Sequence, residues 1–387
     1  MFVVPAALPR LAGAVATFLL VGIMAVPALA IPVFAHRYGL TCQACHTEVP
    51  HLTPFGQAFL SRGYRLPGLQ ARGTLPVAVR AEVQYASAGA ADPDEAGGPL
   101  PKTILDEVEV LTGGSLSPRE SYWIEQYLVD GGEVGRTRDA WFSYRATGDT
   151  VASPVVLRAG QFTLPLPLDP ETFRETTQPY AIWSQRAGAN PFTFFDPKLG
   201  VQGLFGDPAR AISGSVSLLQ GHDPQSGVPS HGLDTMFTLE RDFGDVRLTT
   251  YRYGGSRVLN GPAYGNNVNV SGVLDRFWRQ GYGLGWSHGG TELDAVYQSG
   301  NDGSADLYGD ALQTSGAFVQ LRRTLGDRAF AIGRYDATQD STFGRSLTAG
   351  LGYRFTKNTR LTVFETAERD YTGRMLHVLS SSLLTAW

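Results

Sequence analysis

Cys42 and Cys45 are the only cysteines in a chain of 387 residues, and His46 follows the second one directly. Cys42-Gln43-Ala44-Cys45-His46 is the Cys-x-x-Cys-His pattern by which a c-type haem is attached. Its two thiols add to the porphyrin vinyl groups, and the adjacent imidazole of His46 becomes the proximal iron ligand. A cysteine pair at this spacing also occurs in redox disulfides and as half of a zinc site. A zinc site needs two more ligands at short spacing, and only His36 and His51 are near, irregularly placed. A thioredoxin-type pair needs a βαβ setting, which the flanking residues lack. The chemistry read from these residues is one-electron transfer at a single, covalently held haem c. No Ser/His/Asp array or paired-carboxylate motif competes with it by spacing.

The elements that must position this motif differ before and after it. Residues 1–30 read as a secretory signal peptide, with Arg10, an apolar stretch Leu11 to Val26, and an A-x-A cleavage site at Ala28-Leu29-Ala30. A retained helical anchor is the alternative. Export suits covalent haem attachment, which takes place on the exported side of the bacterial inner membrane. Residues 31–75 form a monohaem cytochrome c segment. Phe34, Leu40, Val49, Leu52, Phe55, Phe59 and Tyr64 are its candidates to cover one porphyrin face. About 40 residues are too few to bury a haem alone, so the remaining shelter must come from later in the chain.

Residues 76–387 carry short alternating runs. Val77, Val79, Ala81, Val83 and Tyr85 alternate with Arg80, Glu82 and Gln84. Tyr282, Leu284 and Trp286 alternate with glycines, and Leu347 to Phe355 repeat the pattern with Thr348, Gly350, Gly352 and Arg354 between. Period two over about ten residues means strands with one apolar and one polar face. Tight connections near residues 205–207, 242–245, 288–290, 325–327 and 356–358 alternate with longer polar loops near 221–232, 254–274, 299–313 and 336–345. Short turns on one side and long loops on the other is the outer-membrane arrangement. The fold predicted is all-β: a transmembrane antiparallel β-barrel of about 16 strands, porin-like, behind a short N-terminal haem segment. In that count every tight turn follows an even-numbered strand. Leu379, Ser381, Leu383, Thr385 and Trp387 alternate up to a terminal aromatic, which resembles the assembly signal of outer-membrane barrels. Mean hydropathy of −0.11 excludes a bundle of transmembrane helices but not a barrel with a polar lumen. A net charge of −4 argues against nucleic acid as a partner.

Pro32-Val33-Phe34-Ala35-His36-Arg37-Tyr38-Gly39, the haem motif, Pro50-His51-Leu52-Thr53-Pro54-Phe55-Gly56-Gln57-Ala58-Phe59 and Gly63-Tyr64 together resemble the fused outer-membrane cytochrome–porins. The resemblance is specific over residues 31 to about 70 and architectural beyond. It implies an outer-membrane electron-transfer protein that takes electrons from extracellular Fe(II), an oxidoreductase activity. Related fused proteins also occur in organisms without known iron metabolism, so the donor does not follow automatically. The family pattern has Arg or Lys where His36 stands, so the distal side of the haem is not carried over.

The proline-rich stretch Gln161 to Pro197 breaks the hairpin rhythm and joins strands 5 and 6 on the outer side, as a surface loop or one folded into the lumen. His36, His51, Met236, Met375 and His377 are candidates for the distal ligand, and Met236 falls on the lumen-facing parity of its strand. Arg80, Glu82, Glu292, Asp294, Arg322 and Arg354 are lumen-facing polar positions, and Asp92-Pro93-Asp94-Glu95 is an acidic outer loop. Implied partners are outer-membrane lipid, an extracellular donor, and a periplasmic cytochrome or copper protein. Two other functions fit the pattern: a diffusion porin in which the haem segment is a plug, gate or sensor, and a periplasmic cytochrome with a soluble β domain. Cys42→Ala or His46→Met is expected to abolish covalent haem while the barrel still assembles. Haem staining of a denaturing gel checks this, and unchanged staining in both variants removes the cytochrome assignment.

Overall fold

The structure is a computed structural model. It describes residues 34, 38–40, 42–45, 53–61, 64, 66, 77–87, 102–148, 154–168, 174–206, 212–221, 232–262, 269–339, 344–356, 358–369 and 375–386. The signal stretch, His36, His46, His51, the acidic loop at 92–95 and Trp387 lie outside the described residues. Two short helices come first: α1 (Cys42–Cys45) and α2 (Pro54–Ser61). Sixteen main strands follow. They are β1 (Val77–Ala86), β2 (Lys102–Ser115), β3 (Glu120–Asp130), β4 (Thr137–Arg145), β5 (Val155–Phe162), β6 (Lys198–Phe205), β7 (Ile212–Gln220) and β8 (Leu233–Phe243). Then come β9 (Val246–Pro262), β10 (Asn269–His288), β11 (Thr291–Asp302), β12 (Leu312–Leu325), β13 (Ala329–Gln339), β14 (Arg345–Arg354), β15 (Thr359–Arg369) and β16 (Met375–Ala386).

Every strand pairs antiparallel with its sequence neighbours, and β1 pairs with β16 from Arg80↔Ala386 to Ala86↔Ser380, which closes the barrel. A two-residue ladder, Glu133–Val134, folds the β3–β4 connection back onto β3. Closure leaves no sheet edge, so each strand satisfies its backbone donors and acceptors inside the wall.

Five connections of two to four residues follow even-numbered strands and lie on one side, 116–119, 244–245, 289–290, 326–328 and 355–358, whereas the connections 146–154 and 206–211 on that side are longer than the tight turn expected near 205–207. On the opposite side the connections run from five residues, at 340–344 and 370–374, to thirty-five between β5 and β6. Ile124, Leu128, Phe142, Leu157, Val201, Leu218, Leu284, Val319, Leu321, Leu351 and Val363 are exposed on the outer face. Many of their sequence neighbours point inward and are buried polar or aromatic residues, as in Ser213, Ser215 and Ser217 of β7. This inside-out pattern is what a wall between lipid and a polar lumen requires.

Strand length is uneven around the barrel. β4 to β7 have 9, 8, 8 and 9 residues, whereas β9 and β10 have 17 and 20. About 9–11 residues cross a bilayer, so the β9–β10 hairpin continues beyond the lipid on the loop side.

Glycines at inward positions make room for rings. Tyr251 occupies the place a side chain at Gly281 would fill, Phe330 the place at Gly352, and Phe364 the place at Gly350. This explains why the alternation of β10 and β14 is built on glycine. Gly352→Val is expected to force the fully buried Phe330 aside and cost about 1–3 kcal/mol. A lower thermal midpoint of the detergent-solubilised barrel checks it.

Candidate functional site

α1 is a single turn bearing both cysteines, and positions three apart on a helix fall on one face. It is clamped to the start of α2. Thr53 precedes α2 as its N-cap: the Gly56 N–H donates to Thr53 Oγ1 at 3.1 Å. The same hydroxyl donates to the Ala44 carbonyl at 2.7 Å, and the Thr53 N–H donates to the Cys45 carbonyl at 2.9 Å. Gly56 is required by this crossing, because a Cβ there would collide with the Cys45 carbonyl oxygen. The Cys45 side chain is half-buried. Two cysteines carried on a helical turn that a capped helix holds rigid form a donor set that fits a covalently attached haem. Cys42 is described in its backbone alone, and the axial His46 lies outside the described residues.

Aromatic side chains attach this pair of helices to the inner wall of the barrel. Phe34, Phe59 and Tyr64 pack together, Phe34 and Tyr64 stacked at 4.6 Å between ring centres. Phe34 stacks on Trp123 of β3 at 5.4 Å, and Tyr64 stacks on Trp141 of β4 at 5.6 Å with ring planes 10° apart. Tyr64 is held at φ 61°, a left-handed conformation unusual for a bulky residue, with its N–H donating to the Phe59 carbonyl. The Tyr38 hydroxyl donates to the Tyr64 carbonyl at 3.2 Å and shares a hydrogen bond with Ser115 Oγ at 3.0 Å. Ser115 ends β2, and Trp123 and Trp141 lie within a few residues of tight turns. The docking site is therefore on the turn side of the lumen.

The wall is shaped for this contact. A Cβ at Gly113 of β2 would strike the six-membered ring of Trp123, so glycine lets the indole lie against the wall. Arg158 of β5 places its guanidinium carbon 4.3 Å from the centre of the Trp141 ring.

The proline-rich connection between β5 and β6 folds into the lumen, the sharper of the two sequence readings. It contains α3 (Ala181–Ser184) and buries Tyr180, Ile182, Trp183, Phe192 and Phe194 in one apolar core with Tyr251, Tyr253, Phe277 and Phe318 of the wall. Phe34 and Tyr64 pack against the same core through Trp123 and Trp141. Polar contacts fix the loop. Arg334 of β13 donates to Thr176 Oγ1 at 2.5 Å and to the Gln178 and Pro179 carbonyls at 3.0 and 2.9 Å. Arg322 of β12 pairs with Glu175 at 3.1 Å. Asn190 Nδ2 donates to both Asp275 and Asp302 at 2.8 Å, and Gln298 donates to the Ile182 carbonyl at 3.0 Å.

Of the sequence candidates for a distal ligand, Met236 does face inward but is 1% exposed within the aromatic core. Met375 opens β16 at the loop-side rim, half-exposed, and His377 pairs with Glu365 at 3.2 Å. Arg80 is held by Glu107 and Glu109, and Arg322 bridges Glu175 and Glu292, so these predicted lumen positions are in ion pairs. Trp123, Trp141 and Arg158 are the residues sequence reading missed. The parity of outward Ile124 and Phe142 already placed both tryptophans inside. Among the described residues no cluster of three or more His, Cys, Asp or Glu could hold a metal ion.

A closed antiparallel wall of sixteen strands, apolar outside and polar inside, with the connection after β5 turned into the lumen, decides the architecture. This is a porin-type barrel. The fold is similar to an anion-selective porin from Comamonas acidovorans, with TM-score 0.61 and 12% identity over 81% of this chain and 99% of that one. It is also similar to Salmonella typhi OmpF, solved in complex with daunomycin, at TM-score 0.56 and 13% identity over 81% and 97%. The outer-membrane channel DcaP of Acinetobacter baumannii gives 0.56 and 12% over 83% and 99%. At such identities the likeness is one of fold. No protein-family model and no curated protein matches the chain. The porin-type barrel belongs to the bacterial outer membrane, with its turns toward the periplasm.

Trp141→Ala removes the stack beneath Tyr64, worth about 1–1.5 kcal/mol. The amides of α2 are expected to lose roughly tenfold in hydrogen-exchange protection, read by mass spectrometry on the detergent-solubilised barrel.

Proposed function

We propose that this chain is an outer-membrane electron-transfer protein in which a porin-type barrel houses a haem c held by Cys42 and Cys45, with His46 beneath the iron. The observation that carries the reading is the seating of the motif-bearing helices on Trp123 and Trp141 inside the lumen. When bound, the haem supplies a one-electron iron centre. The residues of the chain bind and orient it. α2 and Thr53 hold the cysteine turn rigid, the Phe34–Tyr64 stack fixes the segment to the wall, and the wall excludes lipid and bulk water. Docking on the turn side places the motif near the periplasm, within reach of a soluble cytochrome or copper protein. One haem does not bridge the ~30 Å hydrocarbon layer, so the donor must reach into the lumen from outside. Fe(II) is the donor implied by the resemblance of residues 31–70 to the fused cytochrome–porins.

A second reading is a diffusion channel with the N-terminal segment as its plug. The porin-type fold favours it directly. So does a cavity of about 550 Å³ at the turn-side mouth, lined by Asp245, His288, Glu292, Arg322, Asp327 and Arg354. It lies across the barrel from the docking wall.

Reconstitution in liposomes separates the two. Electron transfer is expected to give a covalent haem reduced by Fe(II) added outside, with low solute flux. Solute flux comparable to an open porin, with no Fe(II)-dependent change in the haem absorbance, selects the channel.

A further inference from the structure

Among the described residues of the docking wall, Arg158 is a cation that makes no ion pair. Its guanidinium lies over Trp141 at 4.3 Å and near Phe162 at 5.7 Å. The buried Nε has no hydrogen-bond partner, and the side chain makes no ion pair with any described residue. Other lumen arginines are different: Arg80 has Glu107 and Glu109, Arg257 has Asp234, Arg279 has Asp302, and Arg334 has Asp336. Asp139, on the adjacent strand, attracts Arg158 electrostatically but makes no ion pair with it, and its Oδ1 accepts from the Thr163 N–H at 2.7 Å and from its hydroxyl at 3.0 Å.

Arg158 is half-buried, and no ion pair offsets the loss of water at its Nε. Its planar fork of donors matches a carboxylate in bidentate fashion, and stacking on an indole fixes the plane of that fork. Trp141 is also the ring on which Tyr64 stacks, so the guanidinium sits beside the segment that carries the cysteine motif. A haem bears two propionate carboxylates, which are anionic at neutral pH and need a cation when withdrawn from water.

We propose that Arg158 is the counter-ion of a haem propionate and a positioning residue that raises the haem reduction potential. The inference rests on the haem reading above. A fixed positive charge near the iron favours the reduced form, which has one positive charge fewer. Pairing also keeps the propionate ionised in both redox states, so the potential stays independent of pH.

The test is a spectroelectrochemical titration of the purified haem-bearing barrel, wild type and Arg158→Gln, between pH 5 and pH 8. Arg158→Gln is expected to retain covalent haem on a denaturing gel. Its midpoint potential is expected to shift negative and to acquire a pH dependence that wild type lacks. Arg158→Lys, which keeps the charge but not the fork, is expected to fall between the two. A haem-bearing Arg158→Gln barrel whose potential matches wild type at every pH overturns the assignment while leaving the haem reading intact. A wild-type barrel without covalent haem overturns both. Should Arg158→Gln not assemble, the wild-type titration decides: a flat potential supports the pairing, and a carboxylate-like slope overturns it.

Discussion

In a bilayer no water is available to satisfy a stray peptide group, and the rest of this molecule follows from that one constraint. The strands pair until β16 meets β1, and no donor row is left open to lipid. Once the wall closes, period-two geometry sends alternate side chains to opposite media. Lipid takes Leu, Val and Phe, and the lumen receives the charged and aromatic remainder. A lumen so lined is a fixed polar interior, ready to hold inserted segments by side chains already aimed at them.

Two inserted segments use that interior, in different ways. The connection after β5 is held mainly by polar contacts at its ends and by an apolar core at its centre. Arg322 and Arg334 secure residues 175–179, Asn190 is gripped by two aspartates, and Trp183 and Phe192 fill the space between. The N-terminal helices rest on ring stacking, with Ser115 as one polar point of attachment to the wall. Stacked rings slide with less loss than bidentate ion pairs. The loop is therefore tied to the wall by ion pairs, and the motif-bearing segment by rings.

The barrel was legible in the sequence because its signal is repeated along the wall. Val77 to Tyr85 and Leu347 to Phe355 alternate cleanly, and the turns at 244–245 and 289–290 announce themselves with glycine and aspartate. The Cys-x-x-Cys-His pattern is read from five residues alone, and its His46 lies outside the described residues. The docking wall was harder. Trp123 and Trp141 occupy ordinary lumen parity, and only the register Trp123↔Trp141 makes them one surface. Arg158 was invisible for the same reason. A lone arginine among many lumen charges shows its isolation only when every neighbour's partner is known. Prolines between Gln161 and Pro197 excluded a central strand but did not choose between outside and inside, because that choice rests on contacts more than a hundred residues away, such as Gln298 to Ile182 and Arg334 to Gln178.

The unequal strands have a consequence for approach from outside. With β9 and β10 at 17 and 20 residues and β4 to β7 at 8 or 9, the rim is slanted, high on one flank and low on the other. At roughly 3.4 Å of rise per residue, the hairpin overhangs by about 20 Å once strand tilt is allowed for. The low flank is also the one whose inner face carries Trp141 and Arg158. An approaching body therefore meets less strand wall over that flank than over the hairpin.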